Sequence, residues 1–161
     1  MEALQVIYDP ERVRYAELLE VFAAVHDPTA PAFSRQYASA VFPGDPEQRE
    51  RAEIFLRELE EELGRTIRTE VIFDATFYVA EDYHQKFYLQ REEGVWRELE
   101  EIHGSFWDAV DAREAARLNG YLGGFGSRAE LESELPHFGL SPGAVDSLLR
   151  AFDARPGRPA R

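Results

Sequence analysis

Apolar residues near the start of the chain follow first the spacing of a strand and then that of a helix. Residues 4–8 (Leu-Gln-Val-Ile-Tyr) alternate and are β-prone, and an Asp-Pro pair follows them, so we predict a strand that ends in a turn. Apolar side chains then recur at helical spacing, which predicts a helix over residues 15–25. Two further β-prone segments, residues 36–42 and 67–73, are predicted to be strands.

The longest predicted helix lies between the second and third of these strands. Asp45 is suited to cap its first turn, and Pro46 suits the first helical position. The helix is expected to end at Leu63, just before Gly64. Its apolar positions form one stripe, and the Glu and Arg residues at the other positions are expected to form a solvated surface.

The second half of the chain has a helical pattern. An aromatic entry at residues 77–90 leads into a helical stretch that continues to Leu99. Three short helices are then predicted, over residues 106–118, 128–135 and 142–152. A Ser-Arg-Ala-Glu capping box precedes the second of them, and a Ser-Pro pair starts the third. We therefore predict a helical extension over residues 103–153 and a flexible tail over residues 154–161.

The composition excludes some classes of partner. The 161 residues include 31 Asp or Glu and 18 Lys or Arg, which gives a net charge of −13. A field of this sign repels phosphate backbones and anionic lipids, so we expect neither a nucleic-acid partner nor a membrane partner.

No stretch approaches the roughly 18 to 20 consecutive apolar residues of a membrane span, and the first residues do not resemble a signal peptide. A cytoplasmic protein is therefore expected.

Cysteine is absent from the sequence. The 161 residues therefore hold no disulfide, no thiolate nucleophile and no Cys-based metal site. Glu81, Asp82 and His84 superficially resemble a metal-binding cluster, but ligation would need further convergent donors. We expect neither a metal nor another cofactor, and we interpret His84 as a structural residue. His26 is likewise predicted to be a hydrogen-bond partner at a helix end.

Four segments resemble, in the same order, segments of the A class of peptide methionine sulfoxide reductases, which repair oxidised proteins. The most specific is residues 77–85 (Phe-Tyr-Val-Ala-Glu-Asp-Tyr-His-Gln), which is close to the family's aromatic-Pro-Ala-Glu-Asp-Tyr-His-Gln run. The others are residues 2–10, 15–29 and 36–42. By these segments the chain is identified as a member of this family.

The resemblance implies a two-layer α+β fold with a ferredoxin-like sheet over residues 1–102, and thiol redox chemistry. In the family, a cysteine thiolate attacks the sulfur of methionine sulfoxide, a glutamate protonates the departing oxygen, and two tyrosines hydrogen-bond that oxygen. A second cysteine and then thioredoxin resolve the sulfenic acid. Glu2 matches the glutamate, and Tyr37 matches one tyrosine. The residues that match the motif framing the substrate pocket are Glu81, Asp82, Tyr83, His84 and Gln85.

One departure from the family pattern bears on activity. The family's Gly-Cys-Phe-Trp-Gly segment lies upstream of the glutamate on a central strand, and here only Met1 precedes Glu2. We therefore expect an N-terminally truncated member that lacks the first strand and is inactive alone, either as a catalytically dead protein or as one piece of a split or mis-started gene.

The expected gap in the sheet also bears on partners. A missing central strand leaves main-chain groups unpaired, so the chain is expected to close its sheet differently, to pair with another chain, or to be a fragment of a longer product. Our hypothesis is that a partner chain or a second copy completes the sheet. Methionine sulfoxide or its peptides are the expected ligands, and thioredoxin is expected only if a cysteine-bearing front segment exists. The alternative is a non-catalytic binding or assembly module that retains part of the substrate pocket.

Overall fold

The computed structural model describes residues 1–155, which fall into two compact units, residues 1–77 and residues 78–155. In the first unit, helices α1 (Tyr15–Ala24) and α2 (Pro46–Leu63) form where the apolar spacing predicts them. The side chain of Asp45 accepts a hydrogen bond from the Gln48 amide at 2.8 Å and so caps α2. Gly64 ends α2 with a φ of 59°, a left-handed conformation that glycine adopts without strain.

A parallel pair of short strands accompanies these two helices. Strand β1 (Ala40–Val41) pairs with β2 (Glu70–Val71), with Ala40 opposite Glu70 and Val41 opposite Val71. The predicted strands 36–42 and 67–73 contain β1 and β2 but are longer than what forms. The connection between them carries α2, as parallel strands need a crossover. The chain is therefore helix-rich, with a small parallel sheet in its first unit.

The strand predicted over residues 4–8 is wrong for this structure. Among residues 1–155 the only ladder is the one between β1 and β2, and residues 1–9 are irregular. Side chains that the strand would half-bury lie in solvent, with Leu4 86% and Ile7 82% exposed. Alternation of apolar residues makes a segment suited to a sheet, but a strand also needs a neighbour that accepts and donates main-chain hydrogen bonds.

The second unit is built from helices. The six α-helices within residues 78–155 are α3 (Phe87–Gln90), α4 (Glu93–His103), α5 (Phe106–Asp111), α6 (Arg113–Leu122), α7 (Arg128–Glu134) and α8 (Pro142–Ala154). The capping box before α7 and the Ser-Pro start of α8 are confirmed. The single helix predicted over 106–118 is wrong, because Ala112 is extended (ψ 139°) and separates α5 from α6.

A continuous apolar core holds the helices of the second unit together. The largest side chains that are fully enclosed are Leu89, Val95, Leu99, Leu118, Leu131 and Leu148. The rings of Trp96 and Phe106 meet edge to face, with centroids 5.4 Å apart, and so join α4 to α5. Full burial of such a leucine stabilises a fold by about 2 kcal/mol. Burial of these side chains therefore explains why the short helices of the second unit pack into one folded body.

The described part of the chain leaves some predictions open. The predicted boundary between residues 102 and 103 stays a prediction. Helix α8 ends at Ala154, and the rest of the predicted flexible tail, residues 156–161, lies outside the described residues. No helix within residues 1–155 is long and apolar enough to cross a membrane.

Candidate functional site

The side chain of Glu2 is held against a turn that lies far from it in the sequence. Gln36 Nε2 donates a hydrogen bond of 2.9 Å to Glu2 Oε1. Gln36 belongs to a 3-10 turn, Arg35–Tyr37, which also carries Tyr37. The structure therefore brings Glu2 to the turn that presents Tyr37, and both proposed site residues of the first unit lie in one region.

Tyr37 lies on this 3-10 turn, so the prediction that it sits on a strand is wrong. The Tyr37 amide bonds to the Ser34 carbonyl at 3.1 Å, which closes the turn, and the chain becomes extended only from Ala38. An ion pair of 2.6 Å between Arg35 and Glu70 joins the turn to β2. The Tyr37 side chain is 62% exposed, and its hydroxyl has no hydrogen-bond partner among the described residues.

The motif at residues 81–85 forms a compact turn in the second unit. Its central residues make a short 3-10 helix, Asp82–His84, and Gln85 Nε2 donates to the Ala80 carbonyl at 2.9 Å. His84 Nε2 lies 3.6 Å from Glu81 Oε2, and both side chains are exposed. The Tyr83 and His84 rings are 4.2 Å apart. The four residues Glu81 to His84 therefore present their side chains at the surface.

Two residues that sequence reasoning missed hold this motif in place. Gln90 Nε2 donates to the Asp82 carbonyl at 2.6 Å and also to the Gln85 carbonyl. Asn119 Oδ1 accepts from the amides of Tyr88 (3.0 Å) and Leu89 (3.2 Å), which are free N–H groups of the first turn of α3. The helical extension therefore supports the segment that follows the motif. No sequence pattern could reveal this, because Asn119 lies about thirty positions further along the chain.

A second polar cluster in the first unit has a structural explanation. His26 Nδ1 lies 2.7 Å from the Phe22 carbonyl in the last turn of α1, so it donates there and Nε2 accepts from Ser39 Oγ at 2.8 Å. Ser39 Oγ in turn lies 2.9 Å from Thr69 Oγ1. The prediction that His26 is a partner at a helix end is confirmed. The cluster ties α1 to the segments before β1 and β2.

The proposed site residues fall into the two units. Glu2, Tyr37 and the newly found Gln36 belong to the first unit, whereas the motif at residues 81–85 belongs to the second. Within residues 1–155, no group of three or more His, Asp or Glu side chains is arranged to hold a metal ion. In the first unit, the exposed Tyr37 hydroxyl can donate a hydrogen bond to a small polar ligand.

Two family sequence models together match most of the chain. The sequence model of the family described as "Peptide methionine sulfoxide reductase" matches residues 1–103. A second model, "Selenoprotein methionine sulfoxide reductase A, helical domain", matches residues 109–147. Part of the helical second unit is therefore similar to that helical domain.

Several curated proteins are similar to this chain. The peptide methionine sulfoxide reductase MsrA of Deinococcus radiodurans is 43% identical over 94 residues, which are 54% of this chain and 46% of that protein. MsrA 2 of Synechocystis sp. is 46% identical over 95 residues, 53% of this chain and 44% of that protein. The peptide methionine sulfoxide reductase of Drosophila melanogaster is 35% identical over 144 residues, 88% of this chain and 57% of that protein. The chain spans about half the length of these relatives.

Proposed function

Because the chain belongs to the peptide methionine sulfoxide reductase family, whose sequence model matches residues 1–103, we propose that it acts in the reduction of methionine sulfoxide in peptides. That match is the observation that carries the proposal. The sequence contains no cysteine, so the proposal also requires a thiol from outside these 161 residues. Alone, the chain is expected to be inactive.

The proposed reaction consumes two thiols for each sulfoxide. The first thiolate attacks the sulfoxide sulfur, the sulfur–oxygen bond breaks, and the oxygen ends on the thiol as a sulfenic acid while the thioether is released. The second thiol displaces water from the sulfenic acid, and a disulfide forms. Two electrons thus pass from the two thiols to the sulfoxide sulfur, and the oxygen leaves as water.

We assign roles to the residues of this chain within that reaction. Glu2 would donate the proton to the departing oxygen, and Gln36 would hold its carboxyl group in place through the 2.9 Å hydrogen bond. The exposed Tyr37 hydroxyl would donate a hydrogen bond to the sulfoxide oxygen. The residues that would frame the pocket are Glu81, Asp82, Tyr83, His84 and Gln85.

The proposal includes the finer organisation of the protein. We assign β1 and β2 to a ferredoxin-like sheet that another strand completes, within a reductase domain over residues 1–102. Residues 103–153 would be a helical extension. Thioredoxin would regenerate the thiols if they lie on a polypeptide that joins this chain, and the reaction would take place in the cytoplasm.

The requirement for an external thiol is tested on the purified chain. A peptide that contains methionine sulfoxide is incubated with the chain and dithiothreitol, and methionine is measured by chromatography. We expect no more methionine than dithiothreitol alone produces, since no polypeptide thiol is present. Turnover by a homogeneous sample of the chain would contradict the proposal.

Substrate binding is tested separately by calorimetry. The sulfoxide peptide should bind more tightly than the same peptide with methionine, and Tyr37→Phe should weaken that preference roughly threefold to tenfold through loss of one hydrogen bond. Tyr78→Phe is the matched control, because Tyr78 is also exposed and lies outside the assigned residues. Equal affinity for both peptides would contradict a retained sulfoxide pocket.

The absence of cysteine also favours a second candidate, a non-catalytic binding or assembly module. The two candidates differ once a thiol is supplied. We would add a synthetic peptide with the family's Gly-Cys-Phe-Trp-Gly segment, together with dithiothreitol. Turnover that exceeds the rate with the synthetic peptide alone would support the reductase, whereas binding without turnover would support the module.

A further inference from the structure

Gln90 closes the turn formed by residues 81–85, called here the motif turn. Its side-chain amide nitrogen carries two N–H groups, and it donates to the Asp82 carbonyl at 2.6 Å and also to the Gln85 carbonyl. The first of these bonds spans eight positions of the chain, and the second spans five. Both acceptors are main-chain atoms, so Gln90 restrains the backbone of the motif turn and not its side chains.

The motif turn has little else to hold its shape. Within it, the amides of His84 and Gln85 donate to the carbonyls of Glu81 and Asp82, at 2.9 Å and 3.0 Å. A 3-10 helix of this length has hydrogen bonds of poor geometry. The four residues from Glu81 to His84 are all exposed, so apolar burial does not stabilise them. The bonds from Gln90 therefore supply a restraint that comes from outside the turn.

Helix α3, which ends with Gln90, is itself attached to helix α6. Asn119 Oδ1 accepts hydrogen bonds from the amides of Tyr88 and Leu89, at 3.0 Å and 3.2 Å. A Cβ atom at Gly123, the residue that ends α6, would lie only 3.1 Å from the Tyr88 ring, so this ring packs closely on the main chain there. Leu89 is fully buried. Because its neighbours on α3 are fixed in this way, Gln90 reaches the motif turn from a fixed position.

A fixed backbone matters for a turn whose side chains face solvent. The rings of Tyr83 and His84 lie 4.2 Å apart, and His84 Nε2 lies 3.6 Å from Glu81 Oε2. A ligand that binds exposed side chains must otherwise order the backbone that carries them, and the lost conformational entropy weakens binding. A turn that is already ordered in the free protein avoids this loss, because its side chains start from the positions in which they bind.

We propose that Gln90 is a positioning residue of the substrate pocket. It fixes the backbone of the motif turn, and helix α6 fixes Gln90 through Asn119. The helical second unit thereby holds the residues that frame the pocket. This inference rests on the proposed function for the identity of the ligand, whereas the fixed turn is tested without any ligand.

The ring of His84 reports the conformation of the motif turn in the free protein. Because the Tyr83 ring is 4.2 Å away, its ring current shifts the proton resonances of His84 in nuclear magnetic resonance spectra. Gln90→Met keeps a side chain of similar length but has no N–H donor, so the His84 resonances should move towards those of free histidine. The resonances of His103 and His137, in the same unit, should not move, which shows that the unit stays folded.

Gln5→Met is the matched control for this variant. Gln5 is exposed, and its side chain makes no hydrogen bond among the described residues, so the same chemical change there should leave the His84 resonances in place. The inference is overturned if Gln90→Met leaves the His84 resonances unchanged while the unit stays folded. It is also overturned if Gln5→Met moves them as far as Gln90→Met does.

Two variants of Asn119 test the link to α6, and they decide the matter if Gln90→Met does not fold. Asn119→Ala removes the acceptor, so the His84 resonances should move in the same direction as in Gln90→Met. Asn119→Asp keeps an acceptor oxygen at the same place and should keep the His84 resonances of the unmodified protein. An unchanged spectrum with Ala, or equal changes with Ala and Asp, would contradict the inference.

Calorimetry with the sulfoxide peptide measures the consequence for binding. Gln90→Met should raise the Kd at least about threefold, whereas Gln5→Met should leave it unchanged. If the unmodified chain binds the peptide and Gln90→Met binds it equally well, Gln90 is not a positioning residue of the pocket. If the unmodified chain does not prefer the sulfoxide peptide to the methionine peptide, the proposed function fails, and the His84 resonances still decide whether Gln90 fixes the turn.

Discussion

Arg155 closes the end of helix α6 in the second unit. Its guanidinium donates to the main-chain carbonyls of Tyr121, Phe125 (3.4 Å) and Gly126 (3.1 Å). It also lies 3.4 Å from the centroid of the Phe152 ring. The last carbonyls of a helix lack partners within the helix, so one side chain here satisfies several main-chain acceptors and covers an aromatic ring.

For this single residue we predict that Arg155→Ala lowers the free energy of unfolding by about 1–3 kcal/mol, because hydrogen bonds from a charged donor and a cation–π contact are lost. Urea unfolding followed by circular dichroism measures the change. Arg150→Ala on helix α8, which ends just before Arg155, is the control, since Arg150 is exposed and has no ion pair among the described residues. Equal effects of both substitutions would show that the Arg155 contacts contribute little.

The ion pair between Arg117 and Glu134 gives a prediction about pH. The hydrogen bond from Arg117 lowers the pKa of Glu134 below its ordinary value of 4.5. A carboxyl group with a lower pKa in the folded protein stabilises the fold above its ordinary pKa, and this contribution is lost as the pH falls through the lowered value. The Glu134 side chain is 31% exposed, so solvent screens part of the effect.

We therefore expect Glu134→Gln to be less stable than the unmodified protein at neutral pH. The difference should shrink as the pH falls below about 4.5, the ordinary pKa of this group. Urea midpoints measured across this pH range check the prediction, with the exposed Glu101→Gln as control. A difference that stays constant down to the acid limit would assign the loss to packing rather than to charge.

At the scale of elements, the first turn of α3 depends on helix α6. Helix α3 spans only Phe87–Gln90, and Asn119 from α6 accepts hydrogen bonds from two of its free amides. Residue Lys86, just before α3, has a φ of 44°, so the chain enters the helix from a left-handed conformation that few non-glycine residues adopt. A helix this short is not stable in isolation, and its order comes from such tertiary contacts.

We predict that Asn119→Ala lowers the free energy of unfolding by about 1–2 kcal/mol, because two amides lose their acceptor. Hydrogen exchange at Tyr88 and Leu89 should accelerate more than exchange in α8. Asn119→Asp keeps an acceptor at the same place and should preserve the protection of both amides. Loss of protection with Asp as well as with Ala would show that the contact depends on the shape of the side chain and not on its oxygen.

At the scale of the whole molecule, the two units differ in how much apolar surface they bury. Apart from proline, the first unit has three buried apolar residues, Leu19, Ala52 and Leu56. The core of the second unit contains fourteen, and they come from every one of its helices from α3 to α8. Because apolar burial is the main stabilising term in folding, the second unit should be the more stable part of the described chain.

Native-state hydrogen exchange with mass spectrometry measures this difference directly. We predict that the most protected amides of residues 78–155 exchange at least about tenfold more slowly than those of residues 1–77, which corresponds to roughly 1.4 kcal/mol. If the most protected amides of both units exchange at the same rate, the chain unfolds as one cooperative body and the prediction fails.

Interactions between neighbours in sequence determined what could be predicted about this protein. The α2 helix and its ends, the capping box at Ser127, the net charge and the absence of a thiol all follow from the sequence itself or from contacts within about four residues. The family resemblance was also visible in short runs of residues.

The tertiary structure alone decided which hydrogen-bond partners come from positions some thirty or more residues apart. Glu2 is bound by Gln36, and α3 is bound by Asn119. It also decided that residues 4–8 have no ladder within the described chain, since a strand exists only where a second strand offers its main-chain hydrogen bonds.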